Sequence, residues 1–232
     1  MSLLVTCEHG GNFIPAAYKY LFEGHEAILN THRGWDIGAL DVYHSLKPAA
    51  VFSAHSTTSR LLVELNRSVH HIQLFSEYTQ KLSQSEKQQL LQTYYTPYRS
   101  AVIRKIETLV SLQQTVLHVA VHSFTPVWNG VERPVDIGLL FDSRNATERQ
   151  VCNFFKKELE KMVPYRIRFN KPYLGKSDGF PTFLRKQFPG NYIGIELEIN
   201  QKFAANNTMP NNLKKALIQA VSATERQLYA LL

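Results

Sequence analysis

Polar side chains able to do chemistry follow short apolar runs at four places in this chain. His9 comes just after Leu3–Cys7, and Asn66-Arg67 after Leu61–Leu65. His122 follows Val116–Val121, and Glu196, Glu198 and Asn200 close the run at Tyr192–Ile199. Neutral imidazole is a good zinc ligand, and a catalytic zinc takes three protein ligands and keeps one position for water. His9 and His122 are the candidate pair. Glu8, Asn12 and Asp36 compete as the third ligand, and Asp36 is the one we carry forward. It lies in His32–Gly38 (HRGWDIG), a loop opening an apparent helix, where an aspartate also suits an N-cap. His118 precedes His122 by four residues. On a strand, that spacing puts both on one face but far apart, so His118 is read as lining the sheet or supporting the site.

Glu196 and Glu198 are two apart, which on a strand turns both to one face. Burying two carboxylates together is costly unless a cation or hydrogen bonds compensate. One of them can serve as general base towards a metal-activated water; Glu198 is the first choice. Arg67, with Asn66 and Arg60, can hold a substrate carboxylate through the bidentate fork of guanidinium. Nucleophilic catalysis finds less support. No Gly-x-Ser-x-Gly elbow is present, Ser123 beside His122 does not make a triad, and Cys7 sits inside an apolar run. Gly10-Gly11 is too short for a phosphate loop.

The elements that must position these residues alternate in type. Strands are expected at Leu3–Cys7, Ala49–Ser53, Leu61–Leu65, Val116–Val121, Ile137–Phe141, Arg166–Phe169 and Tyr192–Ile199. Helices are expected from Ser85 to about Leu112, interrupted or begun by Pro97, then over Glu148–Met162 and Asn211–Leu231. Alternation of this kind predicts an α/β fold whose helices cover a largely buried sheet, with the site beyond the carboxyl ends of the strands. No repeat or long linker divides residues 1–232, so one domain is expected.

With 44% apolar and 19% charged residues, the composition is that of a globular protein and excludes a disordered chain. The net charge of +7 favours anionic partners, but the basic residues are scattered, which argues against nucleic acid. Two cysteines make no disulfide framework, and no segment is apolar enough to suggest a membrane span. A cytoplasmic setting is expected, without a membrane or nucleic-acid partner. The sequence allows a homo-oligomer.

The motifs also resemble those of a known family. Cys7–Pro15 (CEHGGNFIP), His32–Ala39 (HRGWDIGA), Ser59–Ser68 (SRLLVELNRS), Leu74–Glu77 (LFSE), Val121–Pro126 (VHSFTP), Asp136–Asp142 (DIGLLFD), Asn170–Gly179 (NKPYLGKSDG) and Gly194–Gln201 (GIELEINQ) resemble, in the same order, the N-formylglutamate amidohydrolase family, in its branch of predicted N-formylglutamate amidohydrolases. The resemblance implies a three-layer sandwich, a mixed and mostly parallel sheet between helices, similar to zinc carboxypeptidases and aspartoacylases (a phosphorylase/hydrolase-like fold). It implies zinc or another divalent metal on His9 and His122, a carboxylate clamp at Asn66-Arg67 and a base at Glu198. Tyr173 and Asp178, in the loop Asn170–Gly179, are expected to line the pocket. The carboxypeptidase-type ligand motif is His-x-x-Glu; three residues after His9 this chain has Asn12. The implied substrate is a small anionic N-acyl amino acid such as N-formylglutamate. The rivals are a peptidase or cell-wall amide hydrolase, and a catalytically silent binding protein on the same fold.

Overall fold

Period-two alternation decides which residues of each strand meet which helical layer. The computed structural model describes residues 1–231. In chain order it has β1 (Ser2–Cys7), α1 (Ala39–Leu46), β2 (Phe52–His55), α2 (Gln84–Leu90), α3 (Thr96–Ser111), β3 (Val116–Phe124), β4 (Val127–Trp128) and β5 (Val131–Glu132). These are followed by β6 (Ile137–Leu140), α4 (Ala146–Glu160), β7 (Ile167–Phe169), α5 (Phe180–Gln187), β8 (Tyr192–Asn200) and α6 (Asn211–Leu231). Six strands form one sheet in the order β2-β1-β3-β8-β6-β7, and β4 and β5 form a separate hairpin. All neighbours in the large sheet are parallel except β6 and β8. The expected mixed, mostly parallel α/β sandwich is therefore the observed fold.

Odd-numbered residues of β1, β3 and β8, among them Leu3, Val5, Leu117, Val119, Ile195 and Leu197, pack against α1, α4 and α6 in the main core. Even-numbered ones face the other layer, where Leu4, Val116 and Tyr192 meet Val102 and Ile106 of α3 and Phe180 and Leu184 of α5. Thr6, His118, His122, Glu196 and Glu198 share this parity, and all are buried. Beyond the reach of α3 and α5, that face is covered by loops, and there the site forms.

Several elements differ from expectation. Leu61–Leu65 is not a strand but an irregular segment, buried throughout. A short continuous apolar run does not distinguish a strand from a packed loop by itself. Here Leu61 and Leu62 pack with Ile14, Phe22 and Leu90, and Val63 and Leu65 with Leu74 and Tyr95, away from the sheet. Asn66-Arg67 therefore lie on a loop, not at a strand end. The expected strand Ala49–Ser53 begins later, because a tight turn at Lys47–Ala49 surrounds Pro48. β3 runs on through His122 to Phe124. The helix α5 has no counterpart in the sequence reading; Gly179 and Pro181 open it and disguise its start.

The long helix is α2 and α3 joined by a wide π turn at Leu91–Tyr95, just before Pro97. Proline has no N–H to give to a regular helix, and the wider turn accommodates it. No helix among the described residues is long and apolar enough to cross a membrane.

Candidate active site

Asp36 is the centre of the polar cluster. Its Oδ2 lies 3.3 Å from Nδ1 of His9 and 2.9 Å from Nδ1 of His122, and the two rings are 5.0 Å apart. His9 stands two residues past the end of β1, and Asp36 is tied to it by its own backbone N–H, which donates to His9 O at 2.9 Å. The N-cap alternative for Asp36 does not hold. Gly38 occupies that position, with φ of 82°, and no side chain caps α1.

The outer edges of both imidazoles also meet carboxylates. His9 Nε2 bonds Glu64 Oε1, and His122 Nε2 lies 3.2 Å from Glu8 Oε2. Glu8 accepts a further bond from the Tyr98 hydroxyl at 2.8 Å. Arg60 joins Glu64 to Asp36, donating from Nε to Glu64 at 2.8 Å and from Nη1 to Asp36 at 3.3 Å. Asn12 stands apart and bonds Asn30 at the surface. Of the three candidate third ligands, only Asp36 joins the two histidines in a group with metal-ligating spacing.

The electrostatics favour a positive charge at this centre. Burial opposes ionisation of Asp36 and Glu64, but the imidazoles and Arg60 outweigh it and hold both well below the usual carboxylate range. Burial likewise opposes the charge on Glu8, yet His122 brings it down to about 2. In His122, burial is overcome by Asp36 and Glu8, and the pKa rises well above normal. In His9, burial and Arg60 are overcome by Glu64 and Asp36, again raising it. Three carboxylates thus face one permanent cation, Arg60, and the two remaining negative charges are matched by two imidazoliums. A divalent ion between neutral imidazoles would balance them equally.

Two edges of the donor triangle fit as well, and all three donors lie within 4.8 Å of one another. Tetrahedral zinc with ligands at ~2.0–2.1 Å places neighbouring ligand atoms about 3.3 Å apart. The separations of Asp36 Oδ2 from the two Nδ1 atoms are close to that edge. Ligating histidines commonly give their second ring nitrogen to a carboxylate, the position that Glu64 holds for His9; Glu8 faces His122 Nε2 at ion-pair distance without a hydrogen bond.

Glu198 is the next acid outward. β8 places it beside His122 on one side and Gly138 on the other. Burial, reinforced by Asp36 and Glu196 against the pull of His122 and Arg60, raises its pKa to about 8. Its Oε2 is buried without a hydrogen-bond partner. Glu196 is held differently, accepting from Asn66 Nδ2 at 3.1 Å.

A cavity of about 220 Å³ joins His9, His122 and Glu198 to Asn66, Arg67 and Asp178. Asn66 Oδ1 accepts from Phe180 N at 2.7 Å, and Asp178 Oδ2 accepts from Ser68 N at 3.0 Å. Arg67 donates to the Asp178 carbonyl, and among the described residues no acidic side chain pairs with it. Arg60, by contrast, lines the cavity with its guanidinium already committed to Glu64 and Asp36. Tyr173, 44% exposed, forms part of the wall and takes a bond from Arg133 at 3.2 Å. This wall crosses β6 closely: a Cβ on Gly138 would fall 2.1 Å from Lys171 O, and one on Gly175 2.1 Å from Phe141 N.

His118 lies deeper on the same face, between Thr6 Oγ1 at 2.8 Å and the Tyr192 hydroxyl at 2.6 Å. Burial pushes its pKa down to about 4. Cys7 is buried, as its apolar run suggested, and burial also drives its thiol pKa well up. Glu64 was not among the residues singled out from sequence, although its spacing of four from Arg60 was visible.

The family model for N-formylglutamate amidohydrolase matches residues 1–205. The chain belongs to the N-formylglutamate amidohydrolase family. Membership supports hydrolysis of an amide bond. Among solved structures, a gene product of Agrobacterium tumefaciens is similar at 25% identity, with a TM-score of 0.78 over 99% of this chain and 90% of its own. The N-formylglutamate amidohydrolase of Ralstonia eutropha JMP134 shares the fold at 17% identity, with a TM-score of 0.73 over 99% of this chain and 95% of its own. No curated protein matches the chain significantly.

Proposed function

We propose that this amidohydrolase cleaves the amide bond of a small N-acylated amino acid, with N-formylglutamate as the family's reference substrate. His9, Asp36 and His122 hold zinc or a similar divalent ion. The observation that carries the reading is one cavity lined by a three-donor ligand group, by Glu198 and by the acid-free guanidinium of Arg67. A bound divalent ion supplies Lewis acidity, polarising the acyl oxygen and acidifying water.

The chain's own residues do the rest. Glu64 orients the His9 imidazole through its Nε2, and the Glu8 carboxylate supplies a negative charge beside His122 Nε2. Arg67 receives the substrate carboxylate and sets the amide across the cavity. With a divalent cation at His9, Asp36 and His122, the raised Glu198 pKa is drawn back down and its carboxylate favoured. In that form Glu198, with a buried and unpartnered oxygen, accepts the proton of the attacking water and returns it to the leaving amine. Asn66 keeps Glu196 in place beside it, so Glu196 shapes the pocket rather than moving protons.

The test pairs N-formyl and N-acetyl amino acids with their carboxamide analogues. Wild type prefers the acids. Arg67→Lys, which keeps the charge but loses the fork, gives up most of that preference, about tenfold or more, the scale of a charge-assisted bond. A rise in KM alone marks uniform binding; a fall in kcat marks alignment of the amide as well. Equal activity on acid and carboxamide removes Arg67 from recognition and moves the reading to an internal peptide or cell-wall amide.

A further inference from the structure

A second cavity, about 210 Å³, adjoins the first and has no use in the reaction above. It shares Asp36, Arg60, Ser123 and Tyr173 with the first cavity, whereas His32, Arg33, Trp128 and Gln201 line it alone. A substrate with its carboxylate on Arg67 and its amide at His9, Asp36 and His122 directs its acyl group away from Arg67, towards these residues. A formyl group has only two heavy atoms and would leave this space largely unfilled.

The two cavities also differ in charge. The first is lined by Asp178, Glu196 and Glu198. In the second, the one acidic residue is Asp36, already engaged with both imidazoles and Arg60. Arg33 pairs with Glu77, but both side chains are nearly half exposed, and such surface pairs are weak and exchangeable. Arg133 stacks on Trp128 and Tyr173 at 5.1 and 5.2 Å and has no ion pair among the described residues. Burial, then the charges of Arg33, Arg133 and Arg60, hold the His32 pKa below its ordinary value, as a positive field does. The half-exposed Trp128 adds a flat apolar wall with the His32 ring on its edge.

We infer that this second cavity is the acyl subsite, and that it takes a short acyl chain ending in a carboxylate. The preferred substrate is then the monoamide formed between a dicarboxylic acid and an amino acid. The inference rests on the amidohydrolase reading of the first cavity. In the reaction the C–N bond breaks, the oxygen of water joins the acyl carbon, and the amine leaves with a proton. A dicarboxylate and a free amino acid are released.

The experiment compares N-formyl-, N-butyryl- and N-succinylglutamate, first as substrates of the zinc-loaded wild type and then as ligands of Glu198→Gln by calorimetry. The order succinyl, butyryl, formyl is expected in both, with about tenfold or more between the ends, the scale of one charge-assisted contact. A His32→Gln, Arg33→Gln double variant loses most of the gap between succinyl and butyryl. Trp128→Ala, which leaves the charges alone, narrows the gap between butyryl and formyl. Formyl preferred over both longer chains overturns the inference and leaves the amidohydrolase reading standing. Butyryl equal to or above succinyl overturns the acidic terminus. Hydrolysis of none of the three, with the expected binding order intact, overturns the amidohydrolase reading and retains the subsite.

Discussion

Strands and loops build opposite halves of the site. β3 and β8 carry His122, Glu196 and Glu198, and β1 ends just before His9. The ladder between β3 and β8 pairs His122 with Glu198 over a nine-residue register, so their relative position is set by backbone hydrogen bonds. Asp36, Arg60, Glu64, Arg67 and Asp178 come from irregular segments. Two of those segments are tied to the strand half by charge, Asp36 by two imidazoles and Glu64 by His9, and Arg60 links the two within the loop half. The strand half is positioned by the sheet alone. The loop half is held by its own apolar packing and isolated backbone bonds, with the polar cluster fixing its charged side chains, so changes in the two halves should fail in different ways.

The largest effect is expected at the strand acid nearest the reaction. Glu198→Gln should keep metal content and substrate affinity while turnover falls by about 10²–10⁴-fold, the usual contribution of acid–base assistance. Glu196→Gln should cost less, because Asn66 already engages that carboxylate. Steady-state kinetics of the two variants decide the order, and an inactive Glu196→Gln beside an active Glu198→Gln reverses the assignment.

A smaller effect separates the carboxylates behind the imidazoles. Glu64→Gln and Glu8→Gln should each weaken metal binding by about 10–100-fold, the range for lost outer-sphere partners. The comparison predicts that Glu64→Gln is the more damaging. It also releases Arg60 and the loop from residue 59 to 68, whereas Glu8 is fixed by β1 and Tyr98. Competition against a chelator measures both, and equal losses would remove the distinction between the halves.

The smallest effect at neutral pH belongs to His118, wholly within the strand half. Its folded pKa of about 4 lies below the unfolded value of ~6.5. Between those values the unfolded chain binds a proton that the fold refuses, so stability present above ~6.5 is lost as pH falls towards 4, by at most about 1.4 kcal/mol per pH unit. His118→Gln should flatten denaturation midpoints across that window and leave activity at neutral pH in place. An unchanged acid slope would show that His118 does not set it.

The same division explains what the sequence disclosed. Residues on or just past a strand follow an apolar run with period-two neighbours, and His9, His122, Glu196 and Glu198 could be found that way. Glu64 could not, because it sits inside LLVEL, whose continuous burial mimics a strand while its backbone follows a packed loop. Asp36 was legible as a polar residue before a helix, but nothing local distinguishes a cap from a ligand. Only its approach to two distant imidazoles does. α5 was hidden by the Gly and Pro at its start, although it supplies the backbone N–H that fixes Asn66. The family motifs pointed to Asn66-Arg67 more directly than periodicity did.

The central claim is that His9, Asp36 and His122 form one metal site. Elemental analysis of the purified protein, repeated on single-site variants, tests it most directly. The account predicts about one divalent ion per chain, the stoichiometry of a single catalytic site. The ion should be lost in Asp36→Ala and His122→Ala and retained in Asn12→Ala. Full occupancy with unchanged affinity in a His9→Ala, His122→Ala double variant, or loss of the ion in Asn12→Ala with retention in Asp36→Ala, would contradict it.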